Sequence, residues 1–299
     1  MTKAAVAALH ARCGGDVSVV ETGDPEGIDR AVADAVRDGA TVVALAGGDG
    51  AIRDAAQALA GSGVEVGIIP CGTGNLYASA LRVPRDLRAA VAALEGGTAR
   101  AVDIGEVTLR APSDAVPLVD GSPRARLPER PRSFVAACGT GLDARMIAAT
   151  SREMKRRYGV AAYFLAASRQ LTDLRPRPTV LTIDGARYEL ESLVVLVANC
   201  GEPIPGILGP RLPIPPDDGL LHVFVLPRGG VIGGVRGALE LMLADAQGTS
   251  ASGHGMRLTG RSVRVEVAPA EPVEIDGDLF PPAVLDARIR AGALRVILS

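Results

Sequence analysis

The sequence predicts an α/β protein of two domains, a parallel-sheet α/β domain followed by a β-sandwich. Strand and helix patterns alternate over the first hundred residues, and such alternation implies a parallel sheet with right-handed crossovers. Beyond about residue 102 the pattern changes to closely spaced strands, as in a sandwich. A length of 299 residues suits two domains of roughly 100–200 residues each.

Asp16–Glu21 (DVSVVE) reads as the first strand. Pro25–Asp38 reads as a helix, with Ile28, Ala31, Val32, Ala35 and Val36 on one face and Gly39 as its stop. Thr41–Ala46 is a continuous apolar strand of the kind buried in parallel sheets. A helix over Ile52–Ala60, a buried strand over Val64–Pro70, a helix from near Leu76 and another over Asp86–Glu95 follow. Val102–Leu109 is strand-like, and the Pro/Arg/Ser-rich stretch Ala111–Arg132 reads as a long exposed loop. Phe134–Cys138 is a strand, and Ser151–Leu174 is helical with a basic start at Arg152, Lys155, Arg156 and Arg157. Thr179–Ile183 and Arg187–Leu190 flank Asp184-Gly185, a hairpin signature. Leu193–Ala198, Leu220–Leu226, Ser262–Val267 and Val273–Ile275 are strand-like.

Composition narrows the function. Aromatics are only 3% and Trp is absent, so the cores rest on Ala, Val, Leu and Ile. A net charge of −2 argues against a nucleic-acid binder, which is usually basic. Cys13, Cys71, Cys138 and Cys200 form no C-x-x-C pair, so free thiols in a reducing cytosol are expected. His10, His222 and His254 are scattered, which argues against a His-based metal cage. No apolar run approaches the ~18 residues of a spanning helix. Ala4–Leu9 is short for a leader, and His10 and Arg12 interrupt it.

Two glycine turns carry the chemistry. Gly47-Gly48-Asp49-Gly50 follows a buried strand and opens a helix. Glycines let the backbone approach phosphate oxygens, and a helix N-terminus faces the anion. Asp49 would be repelled there unless a Mg²⁺ or a Lys/Arg intervened, so the turn predicts a divalent cation. The plainer reading makes Asp49 a helix N-cap. Pro70-Cys71-Gly72-Thr73-Gly74-Asn75 repeats the strand-to-helix geometry one helix and one strand later. Both turns then emerge at the carboxyl edge of a parallel sheet, where α/β folds bind ligands. Thr73 and Asn75 offer neutral hydrogen bonds to phosphate or sugar.

No G-x-x-x-x-G-K-[ST] is present, which excludes a P-loop enzyme. Gly139–Ala144 fits G-x-G-x-x-A, but a long helical stretch follows where a dinucleotide fold needs a second strand and an acidic residue.

Gly47–Gly50 together with Pro70–Asn75 resembles the diacylglycerol kinase catalytic-domain family, which includes bacterial lipid kinases and sphingosine kinases. Further matches are Phe134–Ala144, Lys155–Ala166, Val197–Asn199, Pro216–Val225 (PPDDGLLHVF) and Glu274–Asp278 (EIDGD). The resemblance implies an NAD kinase-like α/β domain over residues 1–105 that binds ATP. It implies a lipid-facing β-sandwich domain over residues 106–299, with catalysis in the cleft between them and the last ~15 residues packing back on the first domain. ATP contacts are implied at Gly47, Gly48, Asp49, Gly50, Gly72, Thr73, Gly74 and Asn75, and at Thr22. A Mg²⁺ is implied at Asp218 with the carbonyls of Pro215 and Leu220. The substrate implied is a membrane lipid, diacylglycerol first, met peripherally at the inner face of the membrane by a cytoplasmic protein.

The sequence departs from the family at four points. The family's opening strand and Asn-Pro-x-Ser-Gly loop would precede Met1. Ala51 stands for the usual Thr, Leu76 for a frequent Asp, and Asp278 for a Glu.

An alcohol attacking a γ-phosphate needs a carboxylate to take its proton. Glu274–Asp278 offers Asp276 and Asp278 on one face of an extended chain, with the base either of them, and Asp49 is the third candidate catalytic residue. Ile183-Asp184-Gly185 is the same tripeptide read as a plain hairpin, and both Asp276-Gly277 and Pro216–Gly219 read equally as turns without the resemblance. The basic run Arg152–Arg157 fits either anionic headgroups or a solvated face. Two other functions fit the same motifs: an NAD kinase-like enzyme acting on a soluble alcohol, and a catalytically impaired nucleotide- or lipid-binding protein.

Overall fold

The computed structural model describes residues 2–22, 25–72, 74–113, 127–141, 176–201, 214–227, 250–251 and 255–299. The expected helix at 151–174 with its basic run, most of the expected loop at 111–132, Thr73, Leu142-Asp143-Ala144 and His254 lie outside the described residues. The chain divides into two compact units. Unit 1 comprises Met1–Ile104, Pro215–Gly219 and Arg290–Ser299, and unit 2 comprises Gly105–Ile214 and Leu220–Ile289.

Unit 1 is the α/β half. Its elements are α1 (Thr2–Cys13), α2 (Pro25–Arg37), β1 (Val42–Gly47), α3 (Asp49–Leu59), β2 (Glu65–Pro70), α4 (Leu76–Ala80), α5 (Leu87–Gly96) and the first part of β3 (Thr98–Arg110). β1 and β2 run parallel, in register from Val42↔Glu65 to Gly47↔Pro70. Ala5 and Ala8 of α1 pack with Ile69, Leu94 and Ile297. Small side chains at those helix positions let the backbones approach closely, which suits a core without large aromatics. Arg12 then fastens the end of α1. It donates to the carbonyls of Leu94 (3.2 Å) and Gly97 (2.8 Å) and to the Glu65 carboxylate (2.7 Å). α5 starts as its sequence dictates, with the Asp86 side chain accepting from Ala89 N–H at 3.0 Å.

Asp16–Glu21 is not a strand. It is extended but joins no ladder, and Val19 and Val20 are 53% and 66% exposed. Its alternation supplies strand propensity, but a strand exists only through backbone pairing, and no described strand pairs with it.

Unit 2 is strand-rich. It holds the rest of β3, then β4 (Arg132–Phe134), β5 (Ala137–Gly141), β6 (Arg177–Ile183), β7 (Ala186–Ala198), β8 (Leu221–Pro227), β9 (Ser250–Ala251), β10 (Met256–Gly260), β11 (Ser262–Val267), β12 (Pro272–Ile275), β13 (Asp278–Pro282) and the first part of β14 (Val284–Leu298). The expected strand Phe134–Cys138 is therefore interrupted at residues 135–136. β7 is the hub. Its first half pairs with β6, and its second half lies between β5 and β8, all antiparallel. Val195 and Val197 face one core, with Val223, Val225 and Leu181. Val194, Leu196 and Ala198 face another, with Phe224 and Ile214. This strand is thus buried on both faces, which explains its unbroken apolar sequence. Each fully buried Val stabilises by about 1.5–3 kcal/mol before entropy is counted.

The Val194–Phe224 face also buries a charge. Arg257 is 1% exposed, its guanidinium lies 5.5 Å from the Phe224 ring centroid, and its Nη2 is 3.0 Å from His222 Nδ1. Arginine only donates, so Nδ1 accepts and the His222 proton sits on Nε2.

The last part of β14 belongs to unit 1, where Arg295 and Val296 lie parallel beside Glu65 and Val66 of β2.

Candidate functional site

The two glycine turns of unit 1 form one rim. Because Gly47 and Pro70 are register partners, β1 and β2 end side by side. Cys71 N–H donates to the Gly47 carbonyl at 2.8 Å. The backbones then nearly touch: a Cβ on Gly72 would stand 2.6 Å from the Gly48 Cα, and one on Gly48 3.1 Å from the Gly72 Cα. These glycines are therefore required by turn-to-turn packing, whatever else approaches them.

Asp49 binds the turns together. It is the first residue of α3, and Gly48 holds the N-cap position. Its carboxylate reaches across to α4, accepting Leu76 N–H at 3.0 Å and Tyr77 N–H at 2.9 Å. This corrects the plainer sequence reading: Asp49 caps the neighbouring helix rather than its own. Asn75 needs that help, because its own side chain does not cap α4. Instead it sits at φ +50 and closes the second turn, accepting from Gly72 N–H (2.9 Å) and donating to the Gly72 carbonyl (2.7 Å). Arg85 pins the Gly74 carbonyl at 3.2 Å. Thr22 is exposed just before α2.

The Pro215–Gly219 loop also lies in unit 1, with Pro215, Asp217 and Asp218 exposed. Asp103 holds it: the carboxylate accepts Gly219 N–H at 2.6 Å, and Asp103 N–H donates to the Pro216 carbonyl at 2.7 Å. Sequence reading missed Asp103. The available signal was a carboxylate between Val102 and Ile104 in a strand otherwise apolar there.

Asp276 and Asp278 lie in unit 2, Asp276 on the two-residue turn joining β12 to β13 and Asp278 as the first residue of β13. Asp276 (φ +46) and Gly277 (φ +88) are both left-handed, as a type I′ turn requires. Asp276 is half-buried, and its carboxylate accepts three backbone N–H groups, from Val135 (2.8 Å), Ala136 (2.9 Å) and Ala137 (3.1 Å). It thereby orders the segment that interrupts β4 and β5. The buried Glu274 accepts from Gly277 N–H. Asp278 is exposed. Burial pushes the nearby Cys138 thiol well up, with Glu274 and Asp276 adding to it, so Cys138 is a protonated packing residue rather than a nucleophile.

Among the described residues no group of three or more His, Cys, Asp or Glu side chains could cage a metal. The exposed Asp218 carboxylate and the Pro215 carbonyl are oxygen donors, the kind of group a hard cation takes. An open depression of about 830 Å³ lies at the opposite edge of the sheet, at the amino ends of β1 and β2. Its Arg12 and Arg295 both pair with Glu65, and neither glycine turn lines it.

Comparison with known proteins agrees with the motifs. The diacylglycerol kinase catalytic domain matches residues 2–107, and the YegS C-terminal NAD kinase beta sandwich-like domain matches residues 136–298. A probable lipid kinase YegS-like protein of Pseudomonas aeruginosa is 29% identical over 299 residues, covering 99% of this chain and 89% of that one. A diacylglycerol kinase of Mycobacterium tuberculosis is 30% identical over 192 residues, covering 64% of this chain and 56% of the relative. The chain thus spans about half the length of that relative, and it spans 55% of another. The crystal structure of a putative diacylglycerol kinase from Bacillus anthracis has a TM-score of 0.68 at 20% identity, covering 95% of this chain and 87% of that one. At that identity it speaks for the fold. The second of the two domain matches alone covers more than half of the chain, so this chain belongs to the family that joins a diacylglycerol kinase catalytic domain to a YegS C-terminal NAD kinase beta sandwich-like domain.

Proposed function

We propose that the protein is an ATP-dependent lipid kinase that transfers the γ-phosphate of ATP to a hydroxyl of a membrane lipid, with diacylglycerol the first candidate. The observation that carries this reading is the double turn, in which two strand ends in register bring Gly47–Gly50 and Gly72–Asn75 into one glycine-packed rim. Such a rim at the carboxyl edge of a parallel sheet, with α3 opening from it, suits a polyphosphate. Gly47, Gly48, Gly50, Gly72, Thr73 and Gly74 would line the phosphates, Asn75 and Asp49 would hold the turns in shape, and Thr22 would meet the nucleotide from outside.

In the transfer, the lipid oxygen bonds to the γ-phosphorus as the bond to the bridging oxygen breaks and ADP leaves. The hydroxyl proton passes to a carboxylate. We assign that base to Asp278, because three backbone amides already engage Asp276. A Mg²⁺ held by Asp218 and the carbonyls of Pro215 and Leu220 would neutralise phosphate charge. The names of the matched relatives support a lipid acceptor. We place the enzyme in the cytoplasm, at the inner face of the membrane. No described helix is long and apolar enough to cross it.

The test is transfer of labelled γ-phosphate to lipid alcohols in detergent micelles. Transfer to diacylglycerol that is lost in Asp278→Asn supports the reading. ATP binding without transfer to any alcohol identifies a binding protein instead, and transfer confined to a soluble alcohol identifies an NAD kinase-like enzyme.

A further inference from the structure

We infer that Arg85 is a nucleotide-binding residue, the cation of the double turn that holds the phosphate tail of ATP; the inference deepens the proposed function and rests on it. The two turns, Gly47–Gly50 and Cys71–Asn75, contain one carboxylate, Asp49, and no lysine or arginine. A phosphate tail is strongly anionic, so a site built there draws positive charge from its surroundings. Two described arginines stand close to the turns. Arg53 of α3 lies behind the first, its Nη2 4.0 Å from where a Cβ on Gly50 would be. That charge is already engaged: Nη2 pairs with Asp54 at 2.9 Å, and the two side chains are 7% and 8% exposed.

Arg85 differs on each count. It is exposed, and its Nη2 donates to the Gly74 carbonyl at 3.2 Å and to Ser79 Oγ at 3.1 Å. Among the described residues no carboxylate pairs with it. The adjacent Asp86 is occupied in capping α5 through Ala89 N–H. One nitrogen thus tethers the guanidinium to the second turn, and the rest of its donors are left for a ligand. A planar guanidinium matches phosphate oxygens, and a bond from it to an anion is of the strong kind.

The backbone keeps this arginine in place. α4 is short, and the chain turns back at once, with Arg82 left-handed (φ +58) and Val83 N–H on the Ala78 carbonyl at 2.8 Å. Leu81 and Val83 are buried, Pro84 fixes its own φ, and Asp86 opens α5. Arg85 is held between these anchors, eleven residues along the chain from the carbonyl it meets. A side chain placed and tethered in advance loses less freedom on binding than a loose one. Its charge acts on the phosphates and not on the nucleoside, so the effect of losing it should rise with the number of phosphates.

The experiment is titration calorimetry on the full chain with Mg²⁺ present and three probes: AMP, ADP and the non-hydrolysable ATP analogue adenylyl imidodiphosphate. Arg85→Gln keeps donors for Gly74 and Ser79 and removes the charge. It is expected to weaken the analogue about tenfold, ADP less and AMP least, and to flatten the salt dependence of the analogue's Kd. Arg85→Lys should keep most of the affinity, and Arg88→Ala, at an exposed arginine of α5, should change none of it. If Arg85 only fastens the turn, Arg85→Gln behaves as wild type, whereas Arg85→Ala lowers Tm and weakens the three probes alike. That result overturns the inference, and so does a wild-type chain that binds no analogue. A chain that binds the analogue through Arg85 but transfers γ-phosphate to no lipid alcohol removes the kinase reading and leaves this inference standing. Transfer to a lipid with analogue affinity unchanged in Arg85→Gln does the reverse.

Discussion

Two hairpins of unit 2 turn on the same tripeptide, Ile183-Asp184-Gly185 and Ile275-Asp276-Gly277. Their backbones are almost superposable: φ is +47 and +87 in the first, +46 and +88 in the second. Both aspartates also do the same work. Asp184 accepts Arg261 N–H (3.0 Å) and Ser262 N–H (2.8 Å), and Asp276 accepts the amides of residues 135–137. The turns differ in what surrounds them. Asp184 is exposed and is followed by Ala186, whereas Asp276 is half-buried and is followed by Asp278. The shared tripeptide is thus a device for fastening a hairpin to its neighbour, and candidacy for catalysis rests on Asp278, the residue that only the second hairpin has.

The comparison breaks most readily at Asp278. Asp278→Asn is expected to lower kcat by about 10²–10⁴-fold with Tm unchanged, whereas Ala186→Asp, which gives the first hairpin the same four residues, should change neither transfer nor Tm. A larger loss of transfer in Asp276→Ala than in Asp278→Asn, at matched stability, would reverse the assignment. Truncating the two fastening carboxylates should separate the hairpins by environment. Asp276→Ala is expected to cost about 2–3 kcal/mol in urea unfolding, since it strands amides that lie out of solvent. Asp184→Ala should cost less than about 1 kcal/mol, because water replaces the carboxylate. The glycines should not separate them. Neither Gly185 nor Gly277 has an atom within 4 Å of an added Cβ, so Gly→Ala at each costs only left-handed strain, about 1–2 kcal/mol and equal within error.

The smallest effect is one of pH. Burial is the largest single influence on the Asp184 carboxyl and pushes it up, but the amides of Arg261 and Ser262, the Ser262 hydroxyl and the Arg261 charge together outweigh it and hold the group below its ordinary value. A depressed folded value stabilises the protein above the unfolded pKa of about 3.9, and that contribution fades as pH falls through the folded value. The stability gap between wild type and Asp184→Asn is therefore expected to be a fraction of a kcal/mol at pH 7 and to shrink below about pH 4. A gap that grows on acidification would contradict the assignment.

The α/β half was legible because its signals are local. An apolar run, a glycine turn and a 3.6-residue period each report within a few positions, so β1, α3 and β2 fall where the pattern puts them. The Leu193–Ala198 run likewise reads as a strand, and it proves to be the part of β7 that is buried on both faces. What was illegible depends on partners. Asp16–Glu21 has the alternation of a strand and no ladder. The service of Asp49 to α4 was hidden because its two amide donors lie 27 and 28 residues away. Asp103 was hidden for the same reason, since its donors lie 116 and 189 residues off. The fastening role of Asp276 was equally invisible, because the tripeptide says only that the chain turns.

The placement of Arg295 and Val296 beside β2 has a consequence for biosynthesis. That flank of β2 stays open while some 230 further residues emerge from the ribosome, the same interval that separates Ala60 from Arg290, which donates to its carbonyl at 3.1 Å. An unpaired parallel strand rich in Val and Ile is a template for the wrong partner. Vectorial synthesis alone therefore cannot finish the sheet of unit 1, and a nascent chain arrested before β14 should be the species that chaperones retain and proteases clear.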